Sequence, residues 1–237
     1  MNLASNEVHV WLAALDPPAA ELATLAATLD AAESDRAARY RFEHDRLRFI
    51  AARGILRAVL SAYLATTPAD ITFAYGPHGK PRVATNADPS SLQFNVSHSE
   101  TYALIALARD LELGVDIEYM RHLDDMDAIA RTAFSPRERT VLAALDSAAQ
   151  HEVFYACWTR KEAYIKAIGR GLSFPLDSFD VSLPPDEPAR LLAVRGNPAE
   201  VVRWHCHPLP PIPGYATALA IQPASKRVRC WRWVGAR

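Results

Sequence analysis

Two acidic residues, Asp116 and Glu118, are separated by one position in the segment Gly-Val-Asp-Ile-Glu. Val115 and Ile117 alternate with them, which predicts a strand over 113–118. Because strand side chains alternate between faces, both carboxylates are expected on one face and both aliphatic groups on the other. Adjacent carboxylates repel unless a cation lies between them, and oxygen ligands suit a hard ion such as Mg²⁺. A strand with one solvated face is the alternative interpretation.

A second set of polar residues lies in a predicted helix over 150–168, which Gly169 should end. Glu162 and Lys166 are four residues apart and therefore share a helix face, whereas Lys161 is rotated about 100° from Glu162. Taken alone, Glu162 and Lys166 are typical of an exposed ion pair, which stabilises a helix little.

Two shorter motifs lie in predicted turns. Ser97-His98-Ser99 joins predicted strands over 92–97 and 101–108 as a hairpin. A histidine there could bind an anion, transfer a proton or hydrogen-bond the turn. Lys80 lies between Gly and Pro in a tight turn, where an exposed loop lysine is the simple interpretation.

The other periodic segments are the elements that must position these residues. Strands are predicted over 7–15 and 71–75, helices over 19–31, 34–64 and 124–133, and strands joined by loops over 172–237. Ser135, followed by Pro and then by Glu at the third helical position, marks a further helix start. Because strands and helices do not alternate regularly, the pattern favours an α+β fold over repeated βαβ units.

A possible internal duplication relates two of the helices. The segment that begins at Phe49 can be laid over the segment that begins at Trp158, which aligns Arg53 with Glu162 and Arg57 with Lys166. Each helix then carries two charged residues on one face. The overlay predicts two similar halves whose helices face a shared cleft.

The composition restricts the classes of partner. The chain has 237 residues, 50% hydrophobic and 22% charged, with a formal net charge of −1. That balance supplies no overall field for nucleic acid or membrane. The basic residues cluster instead over 34–64, where seven arginines accompany three acidic residues. Three widely spaced cysteines, no recognisable signal peptide and no long apolar run predict a reduced, cytoplasmic protein.

Four motifs follow one another along the chain: Gly-Lys-Pro, Asn-Val-Ser-His-Ser, Gly-Val-Asp-Ile-Glu and Trp-x-x-Lys-Glu-Ala-x-x-Lys. In this order they resemble the motifs of the Sfp-type 4′-phosphopantetheinyl transferases. The resemblance runs from Arg36 to Asp180. It implies a pseudo-dimeric α+β fold, with an N-terminal half over 1–110, a C-terminal half over 111–237 and the active site in the cleft between them. It also implies transfer of the 4′-phosphopantetheine of coenzyme A to a serine of an apo acyl, polyketide or peptidyl carrier protein. Neither nucleic acid nor a membrane is expected as a partner, and the enzyme is expected to be a monomer.

The resemblance also assigns roles to single residues. The implied Mg²⁺ ligands are Asp116, Glu118 and Glu162, and the implied coenzyme A contacts are Arg36, Arg53, Lys80, Ser97, His98 and Lys166. Glu162, Lys166 and His98 would be catalytic, with Glu162 taking the serine proton directly or through a metal-bound water. Phe49 replaces a small hydroxyl residue found in some members, so 3′-phosphate binding would depend more on Arg53 and Arg36.

Three further expectations remain open at this point. A coenzyme A-binding module without transfer activity and an Mg²⁺-dependent phosphohydrolase are the competing functions. Carrier docking is expected between Glu118 and Gln150, with Arg131, Arg137 and Arg139 as contacts. His205-Cys206-His207 is interpreted as structural, because no second ligand cluster accompanies it.

Overall fold

The chain folds into four layers: a long helix, a four-stranded sheet, a three-stranded sheet and a second long helix. The computed structural model describes residues 1–84, 92–183, 187–222 and 226–235. The strands are β1 (Glu7–Ala14), β2 (Phe73–Tyr75), β3 (Pro81–Val83), β4 (Leu92–Ser99), β5 (Tyr102–Arg109), β6 (Leu113–Tyr119), β7 (Phe179–Val181), β8 (Leu191–Val194), β9 (His205–His207), β10 (Tyr215–Ile221) and β11 (Arg227–Arg232). The helices are α1 (Ala19–Ala26), α2 (Ala31–Ala38), α3 (Glu43–Leu64), α4 (Met126–Ala133), α5 (Pro136–Ala143), α6 (Ser147–Ala167) and α7 (Glu200–Arg203), with 3-10 turns at Gly171–Ser173 and Leu176–Ser178.

The larger sheet has the strand order β11-β1-β5-β4, and the smaller one the order β6-β10-β9. Strand β11 pairs parallel to β1, and the remaining pairs in both sheets are antiparallel. The last strand of the described chain therefore lies in the sheet built by the first. A division between residues 110 and 111 separates most of the two sheets but leaves β11 with the N-terminal one.

The alternation of strand residues produces the layers. Val10 and Leu104 from the larger sheet pack against Val115 and Leu219 from the smaller one, in a core shared by both sheets. The opposite face of the larger sheet packs on α3, and the opposite face of the smaller sheet packs on α6. These two helix-on-sheet units confirm the predicted α+β class and its two similar halves.

The prediction of one helix over 34–64 is wrong. Helix α2 begins after Asp30, whose side chain accepts a hydrogen bond from the backbone N–H of Glu33, while the Glu33 side chain accepts one from the backbone N–H of Asp30. This capping box starts a separate helix that packs on α3, and the packing brings Glu33 into contact with Arg53 and Arg57. Its Asp-x-x-Glu spacing is visible in the sequence.

The two halves share a further feature, which changes the expected symmetry. In each half, the third residue of a short capped helix is a glutamate that forms an ion pair with a basic residue of the long helix. Glu33 receives Arg57 in the first half, and Glu138 receives Lys161 in the second. Arg57 is therefore buried within its own half, and the expectation that it mirrors Lys166 at a shared cleft is wrong.

Within the four described ranges, none of the helices combines the length and the apolar character needed to cross a bilayer.

Candidate active site

Helix α6 presents a line of functional groups along one face. Its N-terminus is capped by Asp146, which accepts a hydrogen bond from Ala149, and its C-terminus is followed by Gly169 at φ +68°. The left-handed conformation at Gly169 ends the helix as predicted. Trp158, Glu162 and Lys166 follow one another at intervals of four residues, so their side chains lie on the same face. This face of α6 packs against β6.

Gly114 allows α6 to approach β6 closely. A Cβ atom at this position would lie 2.1 Å from the carbonyl oxygen of Ala163 and 2.4 Å from the backbone nitrogen of Ala167. Both are backbone atoms that cannot rotate away. The glycine of the Gly-Val-Asp-Ile-Glu motif therefore has a packing role, and it sets the depth at which the next residues of β6 meet the helix.

Side chains of β4 hold β6 in place across the boundary between the sheets. Ser97 donates a hydrogen bond to Oδ1 of Asp116 at 2.7 Å, and Ser99 donates one to Oε2 of Glu118 at 2.9 Å. Asn95 accepts a hydrogen bond from the backbone of Val115 at 2.8 Å. No role in the site was predicted for Asn95 or Ser99. Their spacing of two residues on either side of Ser97 was the available signal, because alternate residues of a strand share a face.

Lys166 joins the carboxylate strand to the first half of the chain. Its ammonium group lies 2.6 Å from Oδ1 of Asp116 and 2.9 Å from the hydroxyl oxygen of Ser97. Asp116 is almost fully buried, whereas Lys166 is about a quarter exposed. The structure thus brings Ser97, Asp116 and Lys166 together from three separate elements. Spacing alone could not show that Lys166 would pair with Asp116.

The three predicted metal ligands influence one another. Burial raises the pKa of Asp116, although Lys166 and Ser97 oppose the shift. Burial and the charge of Asp116 raise the pKa of Glu118. Burial, together with the charges of Asp116 and Glu118, raises the pKa of Glu162 to about 7 against the opposing effect of Lys166. Burial is thus the largest cause of all three shifts, and neighbouring carboxylates add to it for Glu118 and Glu162.

The donor set fits a hard cation in its chemistry. Oδ2 of Asp116 and Oε1 of Glu162 are buried and have no hydrogen-bond partner among the described residues. Oxygen atoms left without donors in a buried, negatively charged group are suitable ligands for Mg²⁺. The described side chains do not yet form a closed cluster of three ligands. The carboxylate of Glu118 accepts hydrogen bonds from Ser99 and Trp158.

His98 points away from the carboxylates, on the other face of β4 from Ser97 and Ser99. It lines a cavity of about 150 Å³ together with Phe49 and Arg48. His98 reaches solvent, but the surrounding protein lowers the pKa of its imidazole by desolvation, and the charges of Lys166 and Arg36 lower it further. His98 is therefore a neutral hydrogen-bonding group at neutral pH, in a cavity whose lining also includes Asp45 and the Arg48–Glu100 ion pair.

Arg36 and Arg53 lie in different surroundings. Arg36 is exposed, and its guanidinium carbon lies 5.2 Å from the centre of the Phe49 ring, beside the His98 cavity. Arg53 forms an ion pair with Glu33 at 2.6 Å and donates to the hydroxyl of Tyr75 at 3.1 Å. Arg36 is thus placed to meet an anion near His98, whereas Arg53 is held within the first half.

Lys80 connects the two halves. Its ammonium group lies 2.9 Å from Oε2 of Glu112 and 3.2 Å from the carbonyl oxygen of Ala167 at the end of α6. It also lines a cavity of about 520 Å³ together with residues from both halves, among them Tyr75 and Trp204. The lysine of the Gly-Lys-Pro turn therefore lies beside a cavity but has a structural partner.

Two depressions adjoin the carboxylates and the predicted docking segment. A cavity of about 230 Å³ beside Glu118 has an aromatic and aliphatic lining that includes Phe154, Tyr155, Trp158 and Ile129. A second depression on α4, α5 and α6 contains Arg131 and Arg139. His205, Cys206 and His207 form the edge strand β9, which β10 separates from β6.

Comparisons with known proteins agree with this site. Residues 13–110 match a family described as 4′-phosphopantetheinyl transferase, N-terminal, and residues 112–220 match the 4′-phosphopantetheinyl transferase superfamily. The chain is 41% identical over 191 residues to the 4′-phosphopantetheinyl transferase HetI of Nostoc sp., a match that covers 81% of this chain and 80% of the relative. The chain therefore belongs to the 4′-phosphopantetheinyl transferases.

The chain is also similar to two other proteins. The 4′-phosphopantetheinyl transferase Sfp of Bacillus subtilis is 34% identical over 152 residues, which cover 64% of this chain and 65% of Sfp. A solved holo-(acyl-carrier-protein) synthase from Bacillus anthracis, in complex with CoA (3′,5′-ADP), aligns with a TM-score of 0.38 at 20% identity. That alignment covers 47% of this chain and 94% of the other.

Proposed function

We propose that this chain transfers the 4′-phosphopantetheine of coenzyme A to a serine of an apo carrier protein. The observation that carries the proposal is the convergence of Ser97 from the first half with Asp116 and Lys166 from the second. Phosphoryl transfer needs basic groups and carboxylates arranged in advance around the phosphates. The carrier class, the cytoplasmic location and the monomeric state belong to the same proposal.

The residues of the chain would divide the work as follows. The serine oxygen attacks the β-phosphorus of coenzyme A, the bond from that phosphorus to the bridging oxygen breaks, and 3′,5′-ADP leaves. Lys166 would hold the pyrophosphate through its ammonium group, and His98 would donate a hydrogen bond to a phosphate. Glu162 would take the serine proton, directly or through a water molecule. Asp116, Glu118 and Glu162 would hold Mg²⁺, which neutralises charge on the phosphate oxygens when bound.

The neighbouring cavities would receive the rest of the substrates. The cavity beside Glu118, where Phe154, Tyr155 and Trp158 lie among polar side chains, would receive the pantetheine arm. Arg36, next to the His98 cavity, would meet the 3′-phosphate, with Arg53 and Lys80 toward the nucleotide. The arginines of the depression on α4 and α5, Arg131 and Arg139, would attract an acidic carrier.

The proposal is tested by mass spectrometry of an intact carrier protein. The chain is incubated with coenzyme A, Mg²⁺ and an apo carrier, with a carrier in which the acceptor serine is alanine as control. The expected result is the gain of one phosphopantetheine mass, with 3′,5′-ADP released in equal amount and no gain in EDTA. Coenzyme A binding without mass gain on several carriers would leave only a binding module, and phosphate release without carrier would show a phosphohydrolase.

A further inference from the structure

Lys161 is a fully buried lysine next to Glu162 in α6. Its ammonium group lies 2.8 Å from Oε2 of Glu138, 2.8 Å from the carbonyl oxygen of Leu176 and 2.7 Å from that of Phe179. The Phe179 ring lies 4.2 Å from the same nitrogen. All three donor positions of the ammonium group are therefore used, each on a different element: α5, the 3-10 turn and β7.

The carboxylate partner of Lys161 is held just as firmly. Glu138 is fully buried, and it accepts hydrogen bonds from the backbone of Ser135 at 2.8 Å and of Val181 at 2.8 Å. Ser135 in turn caps α5 by accepting from the backbone of Glu138. The pair thus connects α6 to the start of α5 and to β7.

A buried ion pair contributes little net stability compared with apolar residues of the same size, because both charges lose their hydration. What such a pair does supply is a fixed geometry. The ammonium group has one position that satisfies three acceptors, so the rotation of α6 about its own axis is fixed at residue 161.

That rotation determines where the catalytic face points. The tip of a helical side chain lies about 5–6 Å from the helix axis, so a rotation of about 10° moves it by about 1 Å. A displacement of about 1 Å in a catalytic group can reduce the rate about 100-fold. Glu162 and Lys166 belong to the same rigid helix, and any rotation at Lys161 would carry both away from Asp116.

The opposite side of α6 is limited by Gly114, where the strand backbone approaches Ala163 and Ala167. This contact sets the distance between strand and helix, but a flat glycine surface does not by itself prevent the helix from turning. The contacts of Lys161 supply a directional constraint that is fully buried, in addition to the hydrogen bonds that Tyr155, Arg160 and Tyr164 make to other elements.

We propose that Lys161 and Glu138 are positioning residues that fix the rotation of α6, so that Glu162 and Lys166 meet Asp116 in the reactive arrangement. The inference rests on the proposed transfer function. Neither residue contacts the substrates, and Lys161 acts through Glu162 and Lys166.

The test compares four variants with the wild-type protein: Lys161→Met, Glu138→Gln, the double variant that combines them, and Lys226→Met. Each single change at the pair leaves one buried charge without its partner and is expected to lower Tm by about 10 °C. The double variant removes both charges and should recover most of that loss. Lys226→Met removes the lysine that immediately precedes the edge strand β11, in the other sheet from the one that packs on α6, and should change neither Tm nor transfer rate.

The decisive measurements are made on the double variant. We expect kcat for carrier modification to fall about 100-fold, while the KM for coenzyme A rises less than about 5-fold, because the displaced groups act mainly in the transition state. In its crystal structure, superposed on β6 and β10, the Glu162 carboxylate should be displaced by about 1 Å. A folded double variant with wild-type kcat and an undisplaced Glu162 would overturn the proposal.

Two other outcomes are also informative. If the wild-type protein transfers nothing, the proposed function fails, and the position of Glu162 in the double-variant crystal structure still decides whether the pair orients α6. If the double variant does not fold, Lys161→Arg keeps the charge but places a larger planar group among the same acceptors. It should fold with a reduced kcat, and wild-type kcat in that variant would contradict the inference.

Discussion

The ammonium group of Lys166 lies 2.6 Å from Oδ1 of Asp116. This contact joins the helix and the strand that carry the second half of the site, and Ser97 extends it to the first half through hydrogen bonds to both residues. A lysine in that position offsets part of the cost of burying Asp116 and leaves Oδ2 of the same carboxylate available to a cation.

Substitution of Lys166 by methionine should abolish most of the transfer activity. Methionine keeps the packing of the aliphatic stem but removes the charge that meets the pyrophosphate and Asp116. We expect kcat to fall about 100-fold to 1,000-fold, measured by the rate at which the carrier gains phosphopantetheine. The matched change Lys226→Met should leave the rate unchanged. Equal rates in both variants would exclude Lys166 from the reaction.

Glu162 should make stability fall as pH rises. Its pKa is about 7 in the folded protein and near 4.5 when unfolded, so between these values the folded state binds more protons. The free energy of unfolding therefore decreases with rising pH across that window. In EDTA, Glu162→Gln should gain stability relative to the wild type by up to about 3 kcal/mol between pH 4.5 and pH 7.5.

Denaturant titrations of both proteins at several pH values measure this difference. The same variant should remain folded and lose carrier transfer, since glutamine cannot accept the serine proton. A difference between the two proteins that does not change with pH would show that Glu162 titrates normally, and wild-type turnover would remove it from the mechanism.

Gly114→Ala should destabilise the protein strongly. The added methyl group would overlap backbone atoms of Ala163 and Ala167, and α6 would have to move outward to accommodate it. We expect a loss of about 3 kcal/mol or more and a Tm lower by about 10 °C. Gly76→Ala is the control, because a Cβ there meets its nearest atom at 3.7 Å. Similar Tm values for the two variants would refute the close approach.

Mg²⁺ together with coenzyme A should stabilise the folded protein. A ligand at 100 times its Kd adds about 2.7 kcal/mol, which corresponds to a rise of about 8 °C in Tm for a chain of this size. Asp116→Asn should remove the part of the rise that depends on Mg²⁺, while coenzyme A alone still produces a shift. Thermal unfolding with and without each ligand measures both parts. An identical Mg²⁺-dependent rise in Asp116→Asn would place the cation elsewhere.

Local patterns in the sequence were sufficient for much of the fold. The β4–β5 hairpin, the capped start of α5 at Ser135 and the end of α6 at Gly169 were all predicted, and the structure confirms them. Each depends on a few neighbouring residues whose backbone preferences agree. The separation of α2 from α3 was missed. It brings Glu33 to Arg53 and Arg57, and these contacts join residues about 20 positions apart.

The sequence by itself determined which side chains share a face: Asp116 with Glu118 on a strand, and Glu162 with Lys166 on a helix. That follows from the fixed periods of strand and helix. Only the tertiary structure decided that Lys166 pairs with Asp116, that Ser99 holds Glu118, and that Lys161 is buried beside the site. The distance and rotation between two elements depend on how their whole surfaces pack, and spacing along one element contains no information about its partner.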